Sequence, residues 1–262
     1  MEEARPVEPP ALTAPPETEA SAAAEASSGA IGTSTIVPDP SAPDTRENGA
    51  IFISEGRGRG FGRCSGTSVS SPNLSLVFTA GHCVFDEGHW SARHWVFVPA
   101  YRYGERPFGT FAAKWLGTTP GWRNHRNSNF DVGVAVVARN ESGERLAAAV
   151  GADKVAFDRP PGQLYDVFGY PVRRPFNGTT LRVCSQAPYV GHALDAWLTP
   201  GPLQVGVSCE VSPGSSGGGW VVDGDTLDGV TSESYPEDPT TVYGPYFGNA
   251  VKRLYDRASR VR

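Results

Sequence analysis

The chain has 262 residues, with Gly 31, Pro 23, a single Met, 39% hydrophobic residues and a formal net charge of -5. That length can bury the core of one larger domain or two small ones, and the acidic balance excludes a general attraction to phosphate backbones or anionic lipid. The longest apolar run, around 132–138, falls far short of the roughly 18 residues a spanning helix needs, so neither nucleic acid nor membrane is expected as a partner.

Residues 1–45 are dominated by Ala, Pro, Glu, Ser and Thr, with isolated apolar residues near Ile31 and at Ile36 and Val37. Such a stretch buries too little apolar surface to offset its ordering entropy. A disordered leader, pro-segment or linker is expected there, with the fold starting near residue 46. The opening MEEARPVEPP lacks the basic and apolar regions of a secretory signal, so a signal peptide is expected to have been removed.

From residue 46 onward, short apolar groups alternate with turn residues. The stretches 50–53, 75–80, 94–100, 131–137, 164–170, 181–184, 203–209, 219–223 and 227–232 are each bounded by Gly, Pro, Asn or Asp and read as strands. No ladder of helical crossovers separates them, which points to an all-β fold. The tract EGRGRGFGR at 55–63 has the composition of an RNA-binding repeat, but one short copy between two strands reads as a hairpin loop. A weaker helical pattern at 141–151 connects two halves of the strand series. Near the end, Phe247, Ala250, Val251, Leu254 and Tyr255 recur at helical spacing with Lys252, Arg253 and Asp256 turned outward, predicting a terminal amphipathic helix.

The four cysteines are Cys64, Cys83, Cys184 and Cys209. They show neither C-x-x-C nor close Cys/His spacing, so two disulfides and an oxidising compartment are expected rather than a zinc site.

Nucleophilic catalysis by serine needs a base for the hydroxyl proton, a carboxylate that fixes the base in one tautomer, and donors for the oxyanion. Candidates for all three lie in patterned places: TAGHC at 79–83, FDVGVAVV at 130–137 and PGSSGG at 213–218. Taken alone, SPGSSGGGW at 212–220 reads as a linker as readily as a catalytic turn. Together with CSGTSV at 64–69, LVFTAGHC at 76–83, DVGVAVV at 131–137 and GSSGG at 214–218, the chain resembles the chymotrypsin-fold serine peptidases, and within them the bacterial glutamyl endopeptidase-like branch. The motifs occur in the family's order of His, Asp, Ser, with 49 residues from His82 to Asp131 and 85 from Asp131 to Ser216.

The resemblance implies two packed antiparallel six-stranded β-barrels, at 46–145 and 146–262, the second carrying the terminal helix. It also implies His82 as general base and acid, Asp131 as its orienting carboxylate, Ser216 as nucleophile, and the amides of Gly214 and Ser216 as the oxyanion hole. Cys64–Cys83 resembles the family's bridge beside the histidine, and Cys184–Cys209 would tie two strands of the second half. The remaining histidines, His89, His94, His125 and His192, lack such a context.

The sequence departs from the family pattern at several positions. Digestive members carry Asp before the serine, where this chain has Ser215. Six positions before the nucleophile, where trypsin-like members read basic residues with an acid, stands Glu210. Glutamyl enzymes place a histidine in the segment 229–234, where Thr231 stands here, which weakens the expectation of cleavage after Glu. Ser232, Glu233 and Ser234 are expected to pair with substrate backbone as an added strand, Glu233 bringing negative charge beside the substrate.

The expectation is therefore a secreted, monomeric serine endopeptidase acting on peptides or proteins without a metal or organic cofactor. A non-cleaving binding module on the same scaffold and an esterase-type hydrolase stay open as alternatives. The N-x-S/T sites at Asn73, Asn140 and Asn177 are candidate glycosylation acceptors.

Overall fold

The computed structural model describes residues 5–6, 32–54, 61–91, 94–193 and 196–262. Most of the expected leader, and residues 55–60 of the expected hairpin loop, lie outside them. Six strands form the first sheet: β1 (Asn48–Ser54), β2 (Phe61–Val69), β3 (Leu76–Ala80), β4 (Trp95–Pro99), β5 (Phe111–Thr118) and β6 (Val132–Val137). They pair antiparallel in the order β2-β1-β4-β5-β6-β3, and β3 pairs again with β2, so the sheet closes into a barrel. Arg5–Pro6 adds to β2 in parallel beside Gly62 and Arg63.

The unbroken apolar run of β6 has a structural cause. Alternate residues of a strand face opposite ways: Val132, Val134 and Val136 enter a core that also draws on the second sheet, while Ala135 and Val137 enter a core confined to the N-terminal half. All six residues of β6 are buried.

The second sheet contains β7 (Leu164–Gly169), β8 (Arg182–His192), β9 (Val205–Ser208), β10 (Gly219–Val222), β11 (Thr226–Val230), β12 (Glu233–Tyr235) and β13 (Asp238–Gly244). Its pairing path runs β11-β10-β7-β8-β9-β13-β12, and Lys154–Val155 adds to the outer side of β11 in parallel. The expected second closed barrel is not seen: among the described residues no ladder joins the two ends of this path. β11 and β12 are separated only by Thr231 and Ser232, which pass from one partner to the other: Thr231 bonds with Gly217 and Gly218 just before β10, and Ser232 with Tyr243 of β13.

Three helices complete the fold: α1 (Pro120–His125), α2 (Leu146–Val150) and α3 (Asn249–Ala258). The expected terminal helix is α3, which buries Val251, Leu254 and Ala258 against the shared core. Its end is fastened by Asn73, whose Nδ2 donates to the carbonyls of Ala258 (2.9 Å) and Val261 (3.0 Å), groups that a helix C-terminus leaves without internal partners. No helix among the described residues is long and apolar enough to cross a membrane.

Both disulfides form, Cys64–Cys83 and Cys184–Cys209. The boundary of the expected leader needs correcting. Thr35 and Ile36 pair with β8 opposite Val183 and Arg182, Val37 is buried, and Arg182 Nε donates to Ser34 Oγ at 2.9 Å. An added edge strand draws its stability from the partner's free backbone groups and one buried side chain, so a composition average over 45 residues misses it.

Phe247, two residues before α3, is 1% exposed in the shared core, its ring 5.5 Å from that of Phe78 and tilted by 42°. Replacing Phe247 by Ala is expected to cost about 3–5 kcal/mol, read as a lowered urea midpoint; an unchanged midpoint would show that the Phe247 ring contributes nothing to the shared core.

Candidate active site

His82 lies on a tight turn, Gly81–Cys83, directly after β3, and Asp131 ends the turn Ser128–Phe130 directly before β6. Because β3 and β6 pair, with Ala80 opposite Val132, the two turns arrive side by side. Asp131 Oδ1 accepts the His82 backbone N–H at 2.8 Å, and Oδ2 accepts from His82 Nδ1 at 2.7 Å. A carboxylate acceptor puts the proton on Nδ1 and leaves the lone pair on Nε2. Nε2 is buried and has no partner among the described residues.

Position 81 has to be glycine for this arrangement. A Cβ there would lie 2.7 Å from Asp131 Oδ1 and 2.7 Å from the Trp122 ring. That indole lies edge-on to the His82 ring, centroids 6.1 Å apart, and its Nε1 donates to Phe85 O at 2.9 Å.

Burial disfavours the charged His82 imidazole, but the charge and hydrogen bond of Asp131, with smaller contributions from Asp86 and Glu233, outweigh it and hold the pKa above the usual histidine value.

Residues 212–220 form a braced turn rather than a linker. Ser216 O accepts from Ser65 N at 2.8 Å, Gly214 O accepts from Ser65 Oγ at 2.8 Å, and Thr231 exchanges backbone bonds with Gly217 (2.6 Å) and Gly218 (3.0 Å). Gly214 has φ 96° and Gly217 φ 79°, a region that favours glycine. A Cβ at Gly214 would also lie 2.6 Å from Tyr170 O. Ser216 is 4% exposed. Among the described residues, the amides of Gly214 and Ser216 donate to no carbonyl or side chain.

The other sequence candidates are placed as follows. Ser232 is buried and its Oγ donates to Asp131 Oδ2 at 2.6 Å, so its side chain braces the carboxylate. Nothing in the sequence pattern singles out that bond. Thr231 is buried, with Oγ1 accepting from Trp220 Nε1 at 2.9 Å. Glu233 is 6% exposed, with Ser128 Oγ 3.5 Å from its Oε2, so its side chain turns inward, while Ser234 is exposed. Glu210 is exposed, and its charge acts on Arg182. Ser215, the uncharged neighbour of Ser216, is buried against Gly169. β12 ends the sheet path among the described residues.

One group of possible metal ligands occurs among the described residues: Cys64, His82 and Cys83. It does not fit a metal, because the two sulfurs are bonded to each other.

No family model matches the chain. A curated extracellular metalloprotease of Bacillus subtilis is 27% identical over 113 residues, covering 43% of this chain; the match spans only 34% of that protein's length. Among solved structures, the protease Anisep of Arthrobacter nicotinovorans is 33% identical, with a TM-score of 0.75, covering 82% of this chain and 96% of that one. The thermostable serine protease AL20 from an extremophilic microorganism is 35% identical, with a TM-score of 0.75 and coverage of 84% and 100%. A Glu endopeptidase shares the fold at 18% identity, with a TM-score of 0.67 and coverage of 87% and 97%. With two such relatives above 30% identity along nearly their whole length, the chain belongs to the chymotrypsin-fold serine peptidases.

Proposed function

We propose that the chain is a secreted endopeptidase in which Ser216 is the nucleophile, His82 the general base and acid, and Asp131 the carboxylate that orients the imidazole. The observation that carries this reading is the doubly bonded Asp131–His82 pair, which leaves the buried Nε2 as the one free ring nitrogen.

The reaction follows from these groups. Ser216 Oγ attacks the substrate carbonyl as its proton passes to His82 Nε2, and the amides of Gly214 and Ser216 receive the oxyanion. The tetrahedral intermediate collapses as His82 returns the proton to the leaving amine, giving an acyl-enzyme. Water, deprotonated by the same nitrogen, then releases the acid. Asp131 stabilises the imidazolium in both halves. The substrate adds as a strand beside Ser232–Ser234, as the resemblance implies. Secretion is supported by the two disulfides, which persist in oxidising compartments.

Ser216→Ala is expected to lower kcat/KM on peptides by about 10⁶-fold with an unchanged unfolding midpoint, and to abolish labelling by a fluorophosphonate probe. Retained peptide turnover or labelling in the variant would reject the assignment, and turnover of small esters without peptides would favour the esterase reading.

His82 must be neutral to act, so the acidic limb of kcat/KM should lie above the pH of an ordinary imidazole. Asp131→Asn removes the charge that raises this pKa and leaves the opposing effect of burial. The variant is expected to lose about 10⁴-fold in kcat, with its residual acidic limb moved to lower pH. A limb that stays in place would show that Asp131 does not set the His82 charge.

A further inference from the structure

Away from the catalytic residues, a groove of about 380 Å³ runs between β5, α1 and α3. Lys114, Arg123 and Arg257 line it together with Trp90 and Trp115, and among the described residues no carboxylate does. Elsewhere, four surface cations pair with acids: Arg126 with Asp86, Lys154 with Asp225, Arg159 with Asp223 and Lys252 with Asp256. The groove cations have no such partner among the described residues. Arg123 lies 5.6 Å over the Trp90 ring and Arg257 5.6 Å over the Trp115 ring, contacts that position a guanidinium without neutralising it.

The chain carries its own complement. Residues 7–31 contain Glu8, Glu17, Glu19 and Glu25 and no Lys, Arg or His. Residues 1–31 hold six of the 28 acidic and one of the 23 basic residues, which leaves 22 of each for the rest, so the whole acidic excess belongs to this segment. Both of its ends are placed, Pro6 beside Arg63 on β2 and Gly32 donating to Ser208 Oγ at 3.1 Å. The intervening residues can extend roughly 80–90 Å, against a radius of gyration of roughly 18 Å for a fold of this size, so the groove is within reach.

We propose that the glutamates of residues 7–31 seat in the Lys114–Arg123–Arg257 groove. A single exposed ion pair is weak, but three cations on one acidic segment act as a multivalent contact that salt weakens. The groove shares α1 with the catalytic side, since Arg123 lines the groove while the adjacent Trp122 packs beside His82.

The test is carbodiimide cross-linking of the full chain, which joins ammonium to carboxylate with no spacer, followed by peptide mass spectrometry. The chain has three lysines, and two provide internal references: Lys154–Asp225 at 2.6 Å and Lys252–Asp256 at 3.0 Å. Lys114 is expected to link, within one chain, to a glutamate of residues 7–31. That yield should fall several-fold in Arg123→Glu/Arg257→Glu and in salt on the order of 0.5 M, where screening is short-ranged. Reference links that form without any Lys114 link would overturn the proposal. So would a Lys114 link to an acid outside residues 7–31, or one found at the mass of a dimer. The readout does not depend on activity, so failure here and failure of the Ser216 assignment are separate results.

Discussion

The Asp131 carboxylate accepts three hydrogen bonds, from the His82 backbone, the His82 ring and Ser232. A carboxylate that is 1% exposed is costly to bury unless its oxygens are bonded to donors, and each donor here comes with a structural demand. The bond to the His82 amide requires glycine at position 81. The ring bond requires the Trp122 indole to stand where it does. The Ser232 bond brings in the second sheet, because Ser232 lies between β11 and β12. One buried charge thus fixes the relative placement of both halves of the fold at the place where the proposed base must work.

The nucleophile turn depends on the first barrel in the same way. Ser65 of β2 holds both Ser216 O and Gly214 O, and Thr79 of β3 in turn donates to Ser65 O at 2.8 Å. The Cys64–Cys83 bridge joins these strands beside Ser65 and His82, and Cys184–Cys209 joins β8 to the segment that enters the nucleophile turn. With sequence separations of 19 and 25, each bridge contributes on the order of 3 kcal/mol in the chain-entropy picture. The bridges therefore act at the two places where backbone rather than side chain sets the geometry.

What could be read from the sequence follows the same physics. The β6 run and the α3 periodicity were legible because burial on two faces, or on one stripe, leaves a repeating pattern. The spacing of His82, Asp131 and Ser216 was legible through resemblance, and the structure puts the first two within hydrogen-bond distance. Residues 32–45 were not, since pairing with β8 depends on a free edge elsewhere in the chain. Nor was the Ser232 bond, because a lone serine beside a strand has no periodicity to betray its partner. The open path of the second sheet was hidden for a further reason: composition marks Thr231 and Ser232 as strand residues without showing that Thr231 bonds to the nucleophile turn and Ser232 to Tyr243 of β13.

Glu233 shows how strand parity redirects a charge. Its position suggests a negative group facing substrate, but in β12 its side chain turns inward toward Ser128 and the exposed neighbour is Ser234. Its field therefore acts on His82 from within, in the same sense as Asp131 and Asp86, and favours the imidazolium. A site built this way is negative beneath the imidazole and has uncharged Ser234 on the exposed edge of β12. If peptides pair beside Ser232–Ser234 as proposed, their selection falls to backbone pairing and pocket shape more than to Coulomb attraction from Glu233.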